Sequence, residues 1–211
     1  MGKDTCLVRR YWDEISSVYD LFIKLYFYPL YSFLKDEILS EIREEDTVLE
    51  IASGSGMFSK EISERCKAFF AIDISERMLL KLRSKSVSVL NMDASFLGFK
   101  NSVFDKVICV NGLHVFEDPL LALKEAKRVL KKGGHFISAT FCYGDIRAVC
   151  FKMFLLFSGW FFMAKGIPPF LHQFDIHSLL SVFEKAGLKV ISKRLLWLSP
   201  PLFYVKAIKI D

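Results

Sequence analysis

Cysteine is scarce and unpatterned in this 211-residue chain. The five cysteines, at positions 6, 66, 109, 142 and 150, are odd in number and never form a C-x-x-C pair. This pattern predicts neither a disulfide framework nor a cysteine-based zinc site, and it favours a reduced, cytoplasmic setting. Cys109 and Cys142 lie inside apolar runs and are typical of small core residues.

The chain also has no long run of basic residues. Basic residues outnumber acidic ones by only 29 to 24 and are dispersed, which favours solvated helix faces over a nucleic-acid surface. No apolar signal region is expected at the N-terminus. What the chain has in abundance is hydrophobic residues, 52% of the total, with 21 phenylalanines among them. We therefore expect a globular protein with a large core, and the length makes one domain the default.

The stretch 47–56, TVLEIASGSG, organises the rest of the chain. Its first five residues are mostly apolar or β-branched and predict a buried strand, which runs into a turn of small residues. A helical pattern follows, and strand, glycine turn and helix together are typical of a nucleotide-like ligand site. Glu50 refines the ligand, because a carboxylate beside the turn repels a pyrophosphate and suits a cation. S-adenosylmethionine (SAM), with its sulfonium and ammonium groups, fits this requirement; a surface glutamate at a strand end is the alternative.

Residues 48–56 resemble the first motif of class I SAM-dependent methyltransferases, an acidic residue followed by spaced glycines. The resemblance implies that Glu50 and the turn hold the methionyl end of SAM, whose product is S-adenosyl-L-homocysteine. The turn residues given this role are Ala52, Ser53, Gly54 and Gly56. Ala52 stands where the family usually has glycine, and alanine is not expected to take a positive φ, so the fine geometry of the turn is expected to differ.

A second apolar strand, 68–73, ends in Asp73, which lies 17 residues after Gly56, the spacing expected for the next strand end of a βαβ unit. Its carboxylate can accept hydrogen bonds from both ribose hydroxyls, and a helix N-cap is the alternative. An acid at the exposed end of a strand is expected to contribute little to stability. Ile74 and Met78, which follow it, are assigned to the same cofactor site.

Two further strand ends supply candidates. The third predicted strand is followed by Asp93 and Ala94, and the resemblance implies that they contact the adenine amine and ring; a turn role for Asp93 is the alternative. The fourth strand, 104–111, is apolar on both faces and ends at Asn111, also assigned to the cofactor. His114 follows at the carboxyl edge of the sheet, where ligands bind, and is the candidate catalytic base and substrate contact. A satisfied structural histidine is the alternative.

Residues 9–44 have a helical pattern that Pro29 interrupts, and residues 1–45 are expected to form an N-terminal helical cap. Its segment 15–20, ISSVYD, resembles the entry to small-molecule and lipid-quinone methyltransferases, in which this helix covers the cofactor pocket. The resemblance makes Tyr19 a candidate substrate contact.

The second half of the core is predicted from the same kinds of helix and strand signals. Asp118-Pro119 predicts the start of a helix that stops at Gly133-Gly134, and a fifth strand is predicted over 135–141. The block 128–134, RVLKKGG, is also typical of these methyltransferases. The resemblance therefore covers about residues 46–141.

The C-terminal part, 175–211, is expected to contain a helix and a β-hairpin. Asp175 predicts a helix cap, and the strands are predicted over 188–198 and 202–210. His172, Asp175 and His177 also suggest metal ligands, but no further ligand pair accompanies them and Asp175 is better used as a cap, so no metal site is predicted.

The most unusual stretch lies in an apolar insertion, 142–174. Seven phenylalanines fall between positions 151 and 174, and the 11 residues 153–163 carry no charge, too few to span a bilayer as a helix. A helix packed on the core is one interpretation of 146–171. The other is an apolar substrate lid or membrane-surface contact, with Trp160 as a candidate substrate contact.

The sequence therefore predicts an α/β protein with a Rossmann-like, mostly parallel seven-stranded sheet, helices on both faces and an antiparallel last strand. A two-domain chain split near residue 45 is the alternative. The predicted function is methyl transfer from SAM to a small or lipid-like hydrophobic acceptor, with no nucleic-acid partner, in the cytoplasm or at a membrane surface. A nicotinamide-dependent oxidoreductase and a catalytically silent SAM-binding regulator are the competing hypotheses.

Overall fold

The computed structural model describes residues 3–83, 87–142, 172–198 and 201–211. Within them, seven strands form one sheet in the order β3-β2-β1-β4-β5-β7-β6. The strands are β1 (Thr47–Ile51), β2 (Ala68–Asp73), β3 (Val89–Asn91), β4 (Phe104–Val110), β5 (Leu130–Phe141), β6 (Lys189–Leu198) and β7 (Pro201–Ile208). Strands β1 to β5 pair in parallel, whereas β7 is antiparallel to both of its neighbours, β5 and β6. The predicted sheet and its antiparallel last strand are confirmed.

Helices surround the sheet, and several begin where the sequence predicted. They are α1 (Lys3–Tyr26), α2 (Tyr28–Ser40), α3 (Ser59–Ser63), α4 (Glu76–Arg83), α5 (Pro119–Val129) and α6 (Ile176–Lys185). Pro29 lies in the first turn of α2, where its missing N–H costs no hydrogen bond. The Asp118 carboxylate caps α5 by accepting from Leu121 N at 2.9 Å. The predicted cap at Asp175 is confirmed, since its carboxylate accepts from Ser178 N at 2.7 Å.

The core has one layer on each face of the sheet. Val48 packs on one side with α2, α3 and α4, through Leu34, Ile62 and Leu79. Its neighbour Leu49 packs on the other side with α5 and α6. Successive residues of β1 are therefore buried on opposite faces, as expected of a central parallel strand. The helices on both faces confirm the predicted layering, and α2 shares one core with the sheet.

The end of α5 differs from the sequence prediction. The helix ends at Val129 rather than at Gly133-Gly134, and Leu130 is already extended at φ −67° and ψ 140°. The cause is competition from the sheet, because Val103 N donates to the Val129 carbonyl at 2.8 Å. The glycines instead lie within β5, whose pairing with β4 is irregular between Phe104 and Lys106.

The predictions for 146–171, including Trp160, lie outside the described residues. In the part of the chain that the structure describes, no helix is sufficiently long and apolar to cross a membrane.

Candidate active site

A cavity opens at the carboxyl ends of the central strands, beneath α1. It receives residues from the ends of β1, β2, β3 and β4, as expected of an open α/β sheet. The predicted site residues on its wall are Tyr19, Ala52, Gly54, Asp73, Ile74, Met78, Asp93, Ala94 and Asn111. The wall also includes Val8, Trp12, Met92, Ser95, Val110, Val115, Phe116 and Glu117.

The turn after β1 uses left-handed backbone at three positions. Gly54 and Gly56 have φ of 55° and 73°, and Ala52 has φ of 53°. The expectation that Ala52 avoids positive φ is therefore wrong. Its neighbour Ser53 donates its N–H to Ile72 O of β2 at 3.0 Å, and this bond fixes the bend at the strand end. A side chain at Gly54 would meet no atom within 4 Å, so the turn presents bare backbone to the cavity.

Asp73 joins two strand ends. Its Oδ2 accepts from Gly54 N and its Oδ1 from Ser75 N, both at 2.8 Å. The side chain is buried rather than exposed, contrary to the sequence expectation, although it still lines the cavity. Burial raises the pKa of the Asp73 carboxyl to about 6 against the lowering effect of the two N–H donors, and nearby Asp13 raises it further.

Glu50 lies behind the turn rather than on the cavity wall. It is 3% exposed and accepts a hydrogen bond from the Ser59 hydroxyl at the start of α3. Ser53 and Gly56 are likewise buried and do not line the cavity. Glu50 therefore supports the turn through α3 and places a carboxylate behind it.

The opposite end of the cavity is formed by the loop after β3. Asp93 Oδ1 accepts from Ser95 N at 2.8 Å, the hydrogen bond of a turn residue. Asp93 also lines the cavity beside Ala94 and Met92. The turn role is thus present, and the same carboxylate faces the ligand space.

Helix α1 covers the cavity and is tied down by two carboxylates. Asp13 Oδ1 accepts from the Ser75 hydroxyl at 2.6 Å and from Arg77 N at 3.2 Å. Asp20 accepts from the Ser55 hydroxyl and pairs with Lys81 Nζ at 3.0 Å.

Sequence reasoning identified Tyr19 on this helix but missed Trp12, Asp13 and Asp20. A signal was present, because Trp12 and Tyr19, like Asp13 and Asp20, are seven residues apart and share a helix face.

His114 is not on the cavity wall. It is 3% exposed, and its carbonyl accepts from His172 N at 3.0 Å. Burial, with a smaller effect of His172, lowers the pKa of the His114 imidazole to about 3, so the ring is neutral near pH 7. The residues that follow it, Val115 and Phe116, reach the cavity instead. Its catalytic role stays a prediction.

Comparison with known proteins identifies the family. The methyltransferase domain family matches residues 49–138. The ubiquinone/menaquinone biosynthesis C-methyltransferase UbiE of Rickettsia prowazekii is 30% identical over 155 residues, 66% of this chain and 62% of that protein. UbiE of Rickettsia felis is 30% identical over 171 residues, 74% of this chain and 68% of that protein. The match thus spans less than two thirds of the first relative's length.

The fold has solved counterparts. A similar fold occurs in the complex between the Haloferax volcanii Trm112 methyltransferase activator and a methyltransferase-like protein. The alignment with one chain of that complex covers 95% of this chain and 98% of that one. Its TM-score is 0.76 and the sequence identity is 17%. Fold and cavity define an α/β protein with a cavity at the carboxyl edge of its sheet, where open α/β sheets bind nucleotide-like ligands. The chain belongs to the class I SAM-dependent methyltransferases, and the nicotinamide-dependent alternative is set aside.

The residues of the cavity fit SAM. Two carboxylates, Asp73 and Asp93, can accept from hydroxyl and amine donors, and Gly54 offers open backbone. Glu50 places an acidic side chain, hydrogen-bonded by Ser59, behind the turn. Within the described residues, no group of three His, Cys, Asp or Glu side chains could hold a metal ion.

Proposed function

We propose that this methyltransferase transfers the methyl group of SAM to a small hydrophobic acceptor of the lipid-quinone type. The observation that carries the proposal is the division of the cavity wall. Asp73, Asp93 and the bare backbone of Gly54 lie at the ends of β1, β2 and β3. The aromatic rings of Trp12, Tyr19 and Phe116 lie on the α1 and β4 sides, with Glu117 beside Phe116. The first group suits a nucleoside, and the second suits a flat or apolar acceptor.

The residues at the ends of β1, β2 and β3 receive roles in this proposal. Asp73 holds the ribose hydroxyls, while Asp93 and Ala94 hold the adenine. The turn 52–56, with Glu50 behind it, holds the methionyl end. When bound, SAM supplies a sulfonium methyl that is already activated, so the protein's contribution is chiefly to align the acceptor and exclude water.

The relatives support the acceptor class. The UbiE proteins are named for ubiquinone and menaquinone biosynthesis, and a quinone precursor combines an aromatic ring with an apolar tail. An aromatic cavity wall is consistent with such a ring. The apolar composition of 146–171, in which Arg147, Lys152 and Lys165 flank the most aromatic stretch, supports the further proposal that the acceptor is drawn from a membrane surface.

The test is a product-release assay with phenols, amines and polyprenyl quinone precursors of increasing tail length. Each buried methylene contributes about 0.8 kcal/mol, so apparent affinity should rise about fourfold per methylene while the tail remains in the protein. Trp12→Ala should weaken acceptor binding, whereas Trp197→Ala, whose ring does not line the cavity, serves as the matched control.

Two results would change the proposal. Tight SAM binding without turnover of any acceptor would mean that the protein is a catalytically silent SAM-binding regulator rather than an enzyme. Turnover that is indifferent to tail length, with no binding to anionic vesicles, would retain the methyltransferase but remove the lipid-like acceptor and the membrane contact.

A further inference from the structure

Tyr31 lies on α2, behind the cavity wall, and the proposed mechanism gives it no role. Its side chain is 7% exposed, and its ring stacks on Phe58 with centroids 5.9 Å apart and planes 28° apart. Phe58 immediately precedes α3, so Tyr31 is held from the direction of the glycine turn. Burial of this kind fixes the hydroxyl oxygen in one place.

The Tyr31 hydroxyl meets two residues that do line the cavity. Its oxygen accepts from Asn111 Nδ2 at 2.8 Å, and the Tyr19 hydroxyl lies beside it. Tyr19 belongs to α1, and Asn111 follows β4. No local backbone sets the distance between these two wall residues, because 92 positions separate them in the chain. One hydroxyl therefore connects the two sides of the cavity.

Both wall residues are otherwise constrained in ways that make this connection effective. Asn111 has φ of 53°, and its N–H donates to Ala139 O at 2.7 Å, which fixes its backbone. The Tyr19 ring meets the edge of Trp12, with centroids 5.5 Å apart. The Tyr31 hydroxyl supplies the link between these two anchored groups.

Tyr31 remains a neutral phenol in this setting. Burial raises its pKa, and the hydrogen bonds from Asn111 and Tyr19 oppose that effect. A neutral, enclosed hydroxyl that does not line the cavity is suited to holding other side chains rather than to exchanging protons with a ligand.

We propose that Tyr31 is a positioning residue for methyl transfer, whose hydroxyl sets the relative placement of Tyr19 and Asn111 where the acceptor approaches the methyl group. The inference rests on the proposed function. Alignment is the main source of rate in this reaction, and a misplacement of about 1 Å can cost a factor of about 100. The nucleoside contacts assigned to Asp73 and Asp93 come from β2 and β3 and are expected to be unaffected. Asn111, which the sequence assigned to the cofactor, is placed in this proposal at the methyl end of the site, which S-adenosyl-L-homocysteine leaves empty.

The experiment compares Tyr31→Phe with Tyr204→Phe in the full chain. Tyr204 is a matched control, since it is 1% exposed and donates to Glu41 Oε1 at 3.1 Å away from the cavity wall. Tyr31→Phe should lower kcat about tenfold or more while the Kd for S-adenosyl-L-homocysteine stays within about twofold. Tyr204→Phe should leave both unchanged even where it lowers Tm. Tyr19→Phe combined with Tyr31→Phe should be no slower than the slower single variant, because both remove the same link.

The outcomes separate the two proposals. An active wild type with an equally active Tyr31→Phe variant would overturn the inference alone, as would equal losses of kcat in Tyr31→Phe and Tyr204→Phe. Multiplying losses in the double variant would also overturn it. A wild type that methylates no acceptor would overturn the proposed function, and the positioning role would fall with it.

Discussion

The backbone N–H of Gly54 donates to Oδ2 of Asp73 over 2.8 Å, although 19 positions separate the two residues. This bond ties the turn after β1 to the end of β2. Oδ1 of the same carboxylate accepts from Ser75 N and so fixes the segment that leads into α4. The side chain assigned to the ribose is therefore also part of the framework that shapes the cavity.

Replacement of Asp73 should reduce both cofactor affinity and stability. We expect Asp73→Ala to cost about 2–4 kcal/mol of SAM affinity, since a hydrogen bond to a charged group is worth roughly 1.5–3 kcal/mol and water recovers part of it. Stability should fall by about 1–3 kcal/mol, because the buried N–H of Ser75 and the partly buried N–H of Gly54 lose their acceptor. Calorimetric titration and urea unfolding measure the two quantities.

Asp46→Ala is the matched control for this prediction. Asp46 is 5% exposed and accepts from Arg43 N at 2.9 Å just before β1, at the opposite end of the strand. Its replacement should lower stability and leave SAM affinity unchanged. Unaltered affinity in Asp73→Ala, with a large loss of stability, would reduce Asp73 to a structural cap.

Asp73 should also make cofactor binding depend on pH. Burial raises its pKa from 3.8 to about 6 in the folded protein. Between these values the folded state binds more protons than the unfolded state, so this group's contribution to stability decreases as pH rises from about 4 to about 6 and is constant above. Ribose hydroxyls donate best to the ionised carboxylate, so SAM affinity should rise through the same range.

Proton release on binding gives the measurement. Titrations near pH 6 in two buffers of different ionisation enthalpy should report release of a fraction of a proton, and none at pH 8. Asp73→Asn should abolish the release, because it cannot ionise. Release that persists in Asp73→Asn would assign the proton to another group.

The sheet could be predicted because its strands are apolar runs that end in recognisable residues. The acid of Asp73 and the small residues after Ile51 mark two strand ends, and Asp175 marks a helix start. The contacts across the cavity could not be predicted in this way. Asp13 contacts Ser75, which is 62 positions away in the sequence, and Asp20 contacts Ser55, which is 35 positions away. These contacts follow from the docking of α1 rather than from a local sequence pattern.

His114 illustrates a second limit of sequence reasoning. Its position after β4 was recognised as the carboxyl edge of the sheet, but the direction of its side chain depends on the turn that follows the strand. The left-handed backbone of Asn111 begins that turn, and Val115 and Phe116 reach the cavity wall instead. A one-residue difference in a turn decides which side chain faces the cavity.

The turn after β1 offers a paired stability test. Ala52 and Gly54 have nearly equal positive φ, 53° and 55°, and a left-handed conformation costs a non-glycine residue roughly 1–2 kcal/mol. Ala52→Gly should therefore raise stability by about 0.5–1 kcal/mol after the entropy of glycine is subtracted. Gly54→Ala should lower it by about 1 kcal/mol, with no steric clash because no atom lies within 4 Å of the added Cβ.

Urea unfolding of both variants checks that their stability changes have opposite signs. The methyl group of Ala52 packs closely on Gly112, where an added Cβ would lie 2.8 Å from it. A loss of stability in Ala52→Gly would mean that this packing outweighs the backbone strain.

The carboxylates of α1 should control how fast the cofactor leaves. Asp20 connects the helix to Ser55 in the turn and to Lys81 on α4, so α1 cannot move off the cavity without breaking these contacts. Removing a partly exposed charge of this kind costs about 1 kcal/mol, which corresponds to dissociation about fivefold faster in Asp20→Asn. Stopped-flow fluorescence can follow the change, because Trp12 lines the cavity from the same helix.

Glu14→Gln provides the matched control on α1. Glu14 pairs with Arg10 at 3.0 Å on the exposed side of the helix, and such pairs contribute little. Glu14→Gln should leave the dissociation rate of the cofactor unchanged. Asp13→Asn, which weakens the contacts to Ser75 and Arg77, should raise that rate as Asp20→Asn does. Dissociation at the wild-type rate in all three variants would mean that the cofactor leaves without movement of α1.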